Sequence, residues 1–324
     1  MSQLQEIRKP IEQELLEFKR IFDKSVHSSN PLLNQAIHHI KKGSGKMMRP
    51  ILVLLLSKLK GEIRKESLYA AVSLELLHTA SLVHDDVVDE SGLRRGQKSV
   101  NALFDNKLSV LVGDFLLATS LMQVSKTENF DIINVVSTLG QELAEGEILQ
   151  LSNIDNREFS EDVYFDIIYK KTAALFAACA KVAALSSGAT QEEVLEMTRF
   201  GELLGICFQI KDDIFDYSSS NDIGKPTGND MLEGKLTLPA LFALNTRSNA
   251  ELRSLAFAVK EGSATDTDIQ HFIRLIIDCG GLEYAEQTML KYREQALAIL
   301  GDLPDSSIKQ SLTDYLDYIV LRKK

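Results

Sequence analysis

Apolar residues recur at three- and four-residue spacing along most of the chain. Leu74, Leu77, Ser81 and Val88 follow it, as do Leu203, Ile206, Ile210 and Ile214. That is the repeat of one face of a 3.6-residue helix, and alternation over strand length is scarce. The pattern predicts an all-α protein, one helical domain over residues 1–324. Helices are expected over 2–24, 30–42, 49–60, 66–90, 99–125, 129–153, 161–186, 191–218, 236–246, 248–260, 266–279, 282–300 and 305–321. Windows 66–88 and 197–216 are apolar nearly all round, as helices inside a bundle are.

Charge narrows the field. The chain has 324 residues, with 36 Lys and Arg against 46 Asp and Glu, a formal net charge of -10. An acidic chain without a long basic block is a poor partner for nucleic acid. Its 44% hydrophobic and 25% charged residues are ordinary for a globular protein. Cys179, Cys207 and Cys279 form no Cys-x-x-Cys pair, so neither a disulfide framework nor a zinc module is expected. The N-terminus lacks an apolar signal core, and no window approaches 18 unbroken apolar residues. A cytoplasmic location is the expectation.

Each of the two apolar windows ends in the same polar pattern. The first runs Asp85, Asp86, Val87, Val88, Asp89; the second runs Asp212, Asp213, Ile214, Phe215, Asp216. Carboxylates at i and i+4 share a helix face and repel, and a helix C-terminus is an unfavourable place for negative charge. Two such placements call for cations. Mg²⁺ suits them, because it binds through one or two carboxylates plus substrate phosphates. A calcium loop is excluded by the missing 12-residue spacing and its Gly. No Glu-x-x-His pair supports a di-iron site.

Basic side chains fall in or near Gly-rich loops at 42–46, 91–98 and 218–235. Gly45, Lys46 and Arg49 precede Pro50, which is expected at the first helical position. Arg94 and Arg95 follow the first Asp run, and Lys225 and Lys235 flank the loop after the second. Lys170, Lys171 and Thr172 lie on an expected helix. Backbone N–H groups at a helix start, with Lys and Arg beside them, bind phosphate. No G-x-x-x-x-G-K-[ST] motif is present, which argues against a nucleoside triphosphatase. The pattern suits a diphosphate whose departure is the chemistry, with Mg²⁺ acting on the leaving group.

With these residues in view, the sequence resembles the all-trans polyprenyl diphosphate synthases. The resemblance rests on GKMMRP (45–50), LLHTASLVHDDVVDESGLRRG (76–96), GDFLLA (113–118), GEILQL (146–151), YKKTAALF (169–176), FQIKDDIFD (208–216), GKPTGND (224–230) and GKLTLP (234–239). It implies the isoprenoid synthase helical fold with a central cavity and the two Asp-rich helix ends facing each other. It also implies three Mg²⁺ ions, two on Asp85 and Asp89 and one on Asp212. Asp86 and Asp213 belong to the same two runs. Arg94, Lys171, Lys235 and Lys225 would clamp the allylic diphosphate. Gly45, Lys46, Arg49, His78 and Arg95 would bind isopentenyl diphosphate, and Thr172, Phe208 and Gln209 would line the reacting centre. The family usually forms homodimers. Met47 departs from it, standing where members often carry a further Arg.

Product length follows from the turn before the first run. An isoprene unit spans about one helical turn. Ala80 and Ser81 are small where short-chain members tend to carry a bulky aromatic. The expectation is a long chain, about thirty to fifty carbons by one turn per unit, destined for quinone side chains. A product of that size implies transient membrane contact on release. The alternatives are a short-chain synthase making farnesyl or geranylgeranyl diphosphate, a class I terpene cyclase, and a silent partner subunit. A cyclase would not need Lys46, Arg49 and Arg95, and a silent subunit typically loses one Asp run.

Overall fold

The computed structural model describes residues 3–43, 45–154, 158–217, 228–247 and 249–322. In chain order the helices are α1 (Gln3–Arg8), α2 (Glu12–Ser25), α3 (Pro31–Lys42), α4 (Met48–Lys58) and α5 (Lys65–Val88). A two-residue hairpin, β1 (Leu93–Arg94) and β2 (Gln97–Lys98), precedes α6 (Val100–Leu103), α7 (Asn106–Ser125) and α8 (Phe130–Ile154). Then come α9 (Glu161–Ile168), a π-helical turn at Tyr169–Ala173, α10 (Ala174–Ser187), α11 (Gln191–Asp216) and α12 (Asn229–Leu232). The last are α13 (Leu238–Thr246), α14 (Ala250–Lys260), α15 (Asp266–Asp278), α16 (Gly281–Gly301) and α17 (Ser307–Leu321). The expected all-α class is what the chain adopts. Its contacts divide into two compact units: Met1–Gly140 with Ala177–Thr198 and Pro304–Leu312, and Gln141–Phe176 with Arg199–Leu303 and Thr313–Lys324.

In the first unit α5 is the central element. Leu74 and Leu76 are fully buried, and Leu77, Ala80 and Val83 nearly so. Small residues let α7 come close: Ser73 donates to the Ser120 carbonyl at 3.0 Å, and Ser120 returns a bond to the Ser73 carbonyl at 2.8 Å. These paired hydroxyls satisfy each other inside the core, where an unmade bond would be costly. Helix α4 contributes Ile51 to Leu56, all at 2% exposure or less. Helix α7 is the one helix among the described residues long and apolar enough to cross a bilayer, which the sequence reading did not anticipate. It packs on α5 along one face and exposes Leu111, Leu121 and Met122 on another.

The second unit is built on the C-terminal part of α11 with α13 and α16. Phe200, Leu204 and Cys207 are fully buried on α11, as are Leu238 and Ala243 on α13. Thr265 opens α15 with a reciprocal capping box to Asp268.

Four expected elements are redrawn, each for a local reason. The first helix breaks into a 3₁₀ turn at Lys9–Ile11, where Pro10 offers no N–H. The helix expected over 99–125 is two, because the Asp105 side chain accepts from Leu108 N and caps α7. Pro50 is the third residue of α4, not the first; Met47, at φ 54°, is the N-cap. A missing N–H is harmless there too, since the first four helical N–H groups have no partner within the helix. The helix expected over 161–186 passes through the π turn.

Candidate functional site

The first Asp run closes α5, and its members face different ways. Asp85 is half-buried, and Asp89, the C-cap, is exposed. Asp86 between them is 3% exposed and accepts from Arg94 Nε at 2.8 Å. Its carbonyl accepts from Asn101 Nδ2 and from Ser91 N, both at 2.9 Å. So Asp86 holds the hairpin against α5, while Asp85 and Asp89 are left on the accessible side.

The hairpin turn is Arg95-Gly96, with φ 52° and 74°. Two left-handed central residues match the right-handed strand twist, and Asn-Gly is the usual choice. A long non-Gly residue at positive φ is uncommon, so its side chain is the informative part. Arg95 Nη1 donates to the Gly43 carbonyl at 3.1 Å. Its guanidinium lies against Gly45, where an added Cβ would come within 2.6 Å of Nη1. Gly45 is therefore the residue that lets the 42–46 loop touch Arg95. Arg8 tethers the same loop by donating to the Lys46 carbonyl.

These pieces enclose a cavity of about 110 Å³ lined by Gly45, Glu75, His78, Asp86, Arg94 and Arg95, among others. His78 is held well below the usual imidazole range, first by burial and then by the charges of Arg49, Arg95 and Arg94. It is neutral at pH 7 and offers a hydrogen bond, not a charge. Burial also lowers Arg95. Five expected residues, Gly45, His78, Asp86, Arg94 and Arg95, thus share one cavity, with Lys46 exposed on the adjoining loop and Arg49 in the first turn of α4. Glu75 was missed; an acid in an otherwise apolar helix gave no signal.

The second Asp run lies on the last turn of α11 and repeats the division of labour. Asp213 is 3% exposed and accepts from Tyr164 OH at 2.6 Å and from Gln209 Nε2 at 2.8 Å. Burial pushes its carboxyl well above the usual range, with Asp230 adding to the effect and the two hydrogen bonds opposing it. Gln209 in turn accepts from Thr172 Oγ1 at 2.7 Å. Thr172, Gln209 and Asp213 thus form one chain of bonds, and Phe208 packs on Phe176 at 5.3 Å between ring centres. Asp216 accepts from the N–H groups of Asn229 and Asp230 and so opens α12.

Asp212 is the exposed member, and Arg322 finds it. Arg322 Nη2 donates to Asp212 Oδ1 at 2.7 Å and to the Phe208 carbonyl at 3.1 Å. Its guanidinium stacks 4.2 Å from the Phe208 ring centre. Sequence reading missed this residue, which lies 110 positions away. Replacing Arg322 by Ala is expected to cost about 1–2 kcal/mol in urea unfolding, from one half-exposed ion pair and cation–π contacts to Phe208 and Phe215.

The π turn carries the expected cations. Turns of this kind are rare, and they recur at functional sites. Lys171 Nζ reaches Gln150 Oε1 at 2.9 Å and Glu147 Oε2 at 2.5 Å, both from the GEILQL segment of α8. Gly146 allows that approach, since a Cβ there would come within 2.7 Å of Lys170 Cβ. Lys235 pairs with Glu233 at 2.5 Å. Lys225 lies outside the described residues.

Among the described residues, no group of three or more His, Cys, Asp or Glu side chains is arranged to hold a metal. Mg²⁺ dehydrates reluctantly and is usually held by one or two carboxylates, with water and substrate phosphate oxygens completing its shell. The Arg322 guanidinium on Asp212 shows directly that this carboxylate takes a positive partner.

An all-helical fold in which two long helices with buried faces end in carboxylate runs, each with basic side chains close by, is the architecture of an isoprenoid-type synthase. The chain belongs to the polyprenyl synthetase family, whose model matches residues 30–276, and is a prenyltransferase that elongates trans-prenyl chains. It is 34% identical to the octaprenyl diphosphate synthase of Escherichia coli over 304 residues, 92% of this chain and 93% of the relative. The geranylgeranyl pyrophosphate synthase structure from Bacteroides thetaiotaomicron is 55% identical, with a TM-score of 0.88 over 99% of this chain and 100% of that one. A polyprenyl synthase from Caulobacter crescentus CB15, solved with calcium and isoprenyl diphosphate, is 31% identical, with a TM-score of 0.92 over 99% and 98%.

Proposed function

We propose that the protein adds isopentenyl diphosphate repeatedly, head to tail, to an allylic diphosphate and makes a long-chain polyprenyl diphosphate of about thirty to fifty carbons at one helical turn per unit. The observation that carries the length is the pair of small residues before the first Asp run. Ala80 is buried, and half-buried Ser81 folds its hydroxyl back onto the His78 carbonyl at 2.9 Å. The octaprenyl-forming relative supports this reading. A second reading, a twenty-carbon product, is favoured by the 55% identical geranylgeranyl synthase. Quinone side chains are the proposed destination, the cytoplasm the proposed location, and membrane contact on release is transient.

Asp85, Asp89 and Asp212 are the carboxylates for three Mg²⁺ ions. When bound, the metal neutralises the allylic diphosphate as it leaves. Arg94, Lys171, Lys235 and Lys225 hold that diphosphate by charge-assisted bonds. Lys46, Arg49, Arg95 and neutral His78 hold isopentenyl diphosphate. Thr172, Gln209 and Phe208 face the carbocation with hydroxyl, amide and ring, and the apolar helix walls keep water from it. The isopentenyl double bond attacks, and the proton it sheds goes to pyrophosphate.

Val110, Leu111, Leu117, Leu121 and Met122 lie exposed at helical spacing on α7. A contiguous apolar patch of this kind marks an interface, and a second copy of the chain is its proposed cover.

The test is product analysis. Protein incubated with farnesyl diphosphate, labelled isopentenyl diphosphate and Mg²⁺ should give a ladder ending at one long chain, and chelator should abolish it. Products ending at twenty carbons select the second reading, and no elongation overturns both. In the same assay Gly45→Ala, which pushes Arg95 aside, should raise KM for isopentenyl diphosphate about tenfold or more, because small displacements of positioning groups are costly. The KM for the allylic substrate should stay put.

A further inference from the structure

We propose that the hollow between the C-terminal ends of α2 and α7 and the start of α5 binds a phosphate group, held by Lys24, Lys126 and the Gln123 amide. The site is remote from the first Asp run. Tyr69, in its wall, lies on the same helix as Asp85, roughly 24 Å from it by the helical rise. Free diphosphate and an anionic lipid headgroup both carry such a group, and the experiment below separates them.

The cavity has a volume of about 280 Å³, more than twice that of the one beside Arg95. Its cations are Arg20, Lys24 and Lys126, and no Asp or Glu lines it among the described residues. That local balance runs against a chain of net charge -10. Arg20 is the least available of the three, since Glu17 accepts from its Nε at 2.8 Å and from its Nη2 at 2.6 Å. Lys24 and Lys126 pair with no carboxylate among the described residues. Lys126 Nζ donates instead to Gln123 Oε1 at 3.1 Å and sits 5.6 Å from the Tyr69 ring centre.

Gln123 is the residue that points to a ligand. It is 2% exposed, yet its polar side chain lines the hollow. Lys126 takes its Oε1, and its amide N–H groups meet no acceptor among the described residues. Leaving a buried polar group unsatisfied costs about 1–3 kcal/mol, and an apolar side chain would fill the same wall without that loss. An acceptor oxygen in the hollow removes it. The lysines have a simpler explanation, because Lys24 is in the last turn of α2 and Lys126 is the C-cap of α7, where cations are favoured. Helix ends account for those two charges, but not for the hollow between them or for Gln123. Two full positive charges also outweigh the roughly half negative charge of each helix end, so an anion is attracted on balance. Lysine then supplies charge, and the amide orients the ligand oxygen.

The experiment is calorimetric titration of the full chain with inorganic diphosphate in chelator. Lys24→Gln with Lys126→Gln should weaken one binding event tenfold or more, and that event should survive Arg95→Gln. Both lysines are exposed, so the double variant is expected to fold. Lys107→Gln with Lys181→Gln removes the same charge from other exposed positions and should bind as wild type does. Gln123→Met keeps the volume and should weaken the same event about tenfold, the worth of one hydrogen bond to a charged group. Sedimentation with phosphatidylglycerol vesicles, against phosphatidylcholine vesicles, tests the lipid source. Vesicle binding that the Lys24 and Lys126 double variant loses assigns the site to a headgroup; diphosphate binding alone assigns it to the free ion. The inference is overturned if that double variant binds diphosphate and vesicles as wild type does, or if the Lys107 and Lys181 control loses as much. It is equally overturned if wild type binds no vesicle and only the diphosphate that Arg95→Gln removes.

Discussion

Asp85→Asn should lower kcat by about 10²–10³-fold, the usual cost of removing one preorganised electrostatic contact to a transition state. The same change should leave the metal-free protein as stable as wild type, or more so. The two effects have one origin. Asp85 and Asp89 stand one turn apart at the C-terminal end of α5. Without divalent cation they repel each other, by about 0.2–0.5 kcal/mol for a helical like-charge pair, and they oppose the helix dipole. Asn has nearly the shape of Asp and none of its charge, so it relieves the repulsion while losing the metal contact. Thermal unfolding in chelator and kcat in Mg²⁺ measure the two sides separately. Activity within threefold of wild type would remove Asp85 from the metal set. A folded-state loss of several degrees would mean that the residue serves the fold instead. Asp86→Asn should behave in the opposite sense, because Asp86 is buried and binds Arg94. It should destabilise the hairpin in chelator and Mg²⁺ alike.

That contrast was only half legible in the sequence. The two runs stood out because they break an apolar pattern, and the helices carrying them were readable from the same pattern. Which Asp of each run turns inward was not readable. It depends on Arg94 in a hairpin and on Tyr164, 49 positions from Asp213. The hairpin was hidden because its turn is Arg-Gly, where residue preference points to Asn-Gly. The π turn at Tyr169–Ala173 carries no residue type that would mark it; it shows only as an approach of Lys171 to Glu147 and Gln150. Glu75 and Arg322 were hidden for a shared reason. A single charge on a helix is normally solvated, and only folding shows that Glu75 lines a cavity and that Arg322 meets Asp212 from a distant segment. Asp105 could have been found, since an Asp before Asn-Lys-Leu is a helix-start signal; the helix formers on both sides obscured it.

The largest change in what the enzyme makes, as distinct from how fast, is expected from Ser81→Phe. Position 81 is four residues before Asp85, about 6 Å along the helix axis. A chain that grows from the diphosphate at the Asp run passes it after roughly the first isoprene unit, at one turn per unit. Serine leaves that path open, and its hydroxyl is already bonded back to the helix. A phenyl ring there should block it, so that products collapse to short chains, while the first condensation proceeds at near wild-type kcat. Ala80 is the poorer place for the substitution: it is 2% exposed, and overpacking a core position costs about 1–3 kcal/mol. Long products retained by folded Ser81→Phe would show that the chain takes another path. If the wild-type product is itself twenty carbons, positions 80 and 81 do not set the stop. The barrier then lies a turn further along α5, at Leu77, which is 4% exposed and whose Cδ1 lies 3.8 Å from where a Cβ on Gly140 would stand. In that case Leu77→Ala, and not Ser81→Phe, is the substitution that should change product length, and it should lengthen the chain.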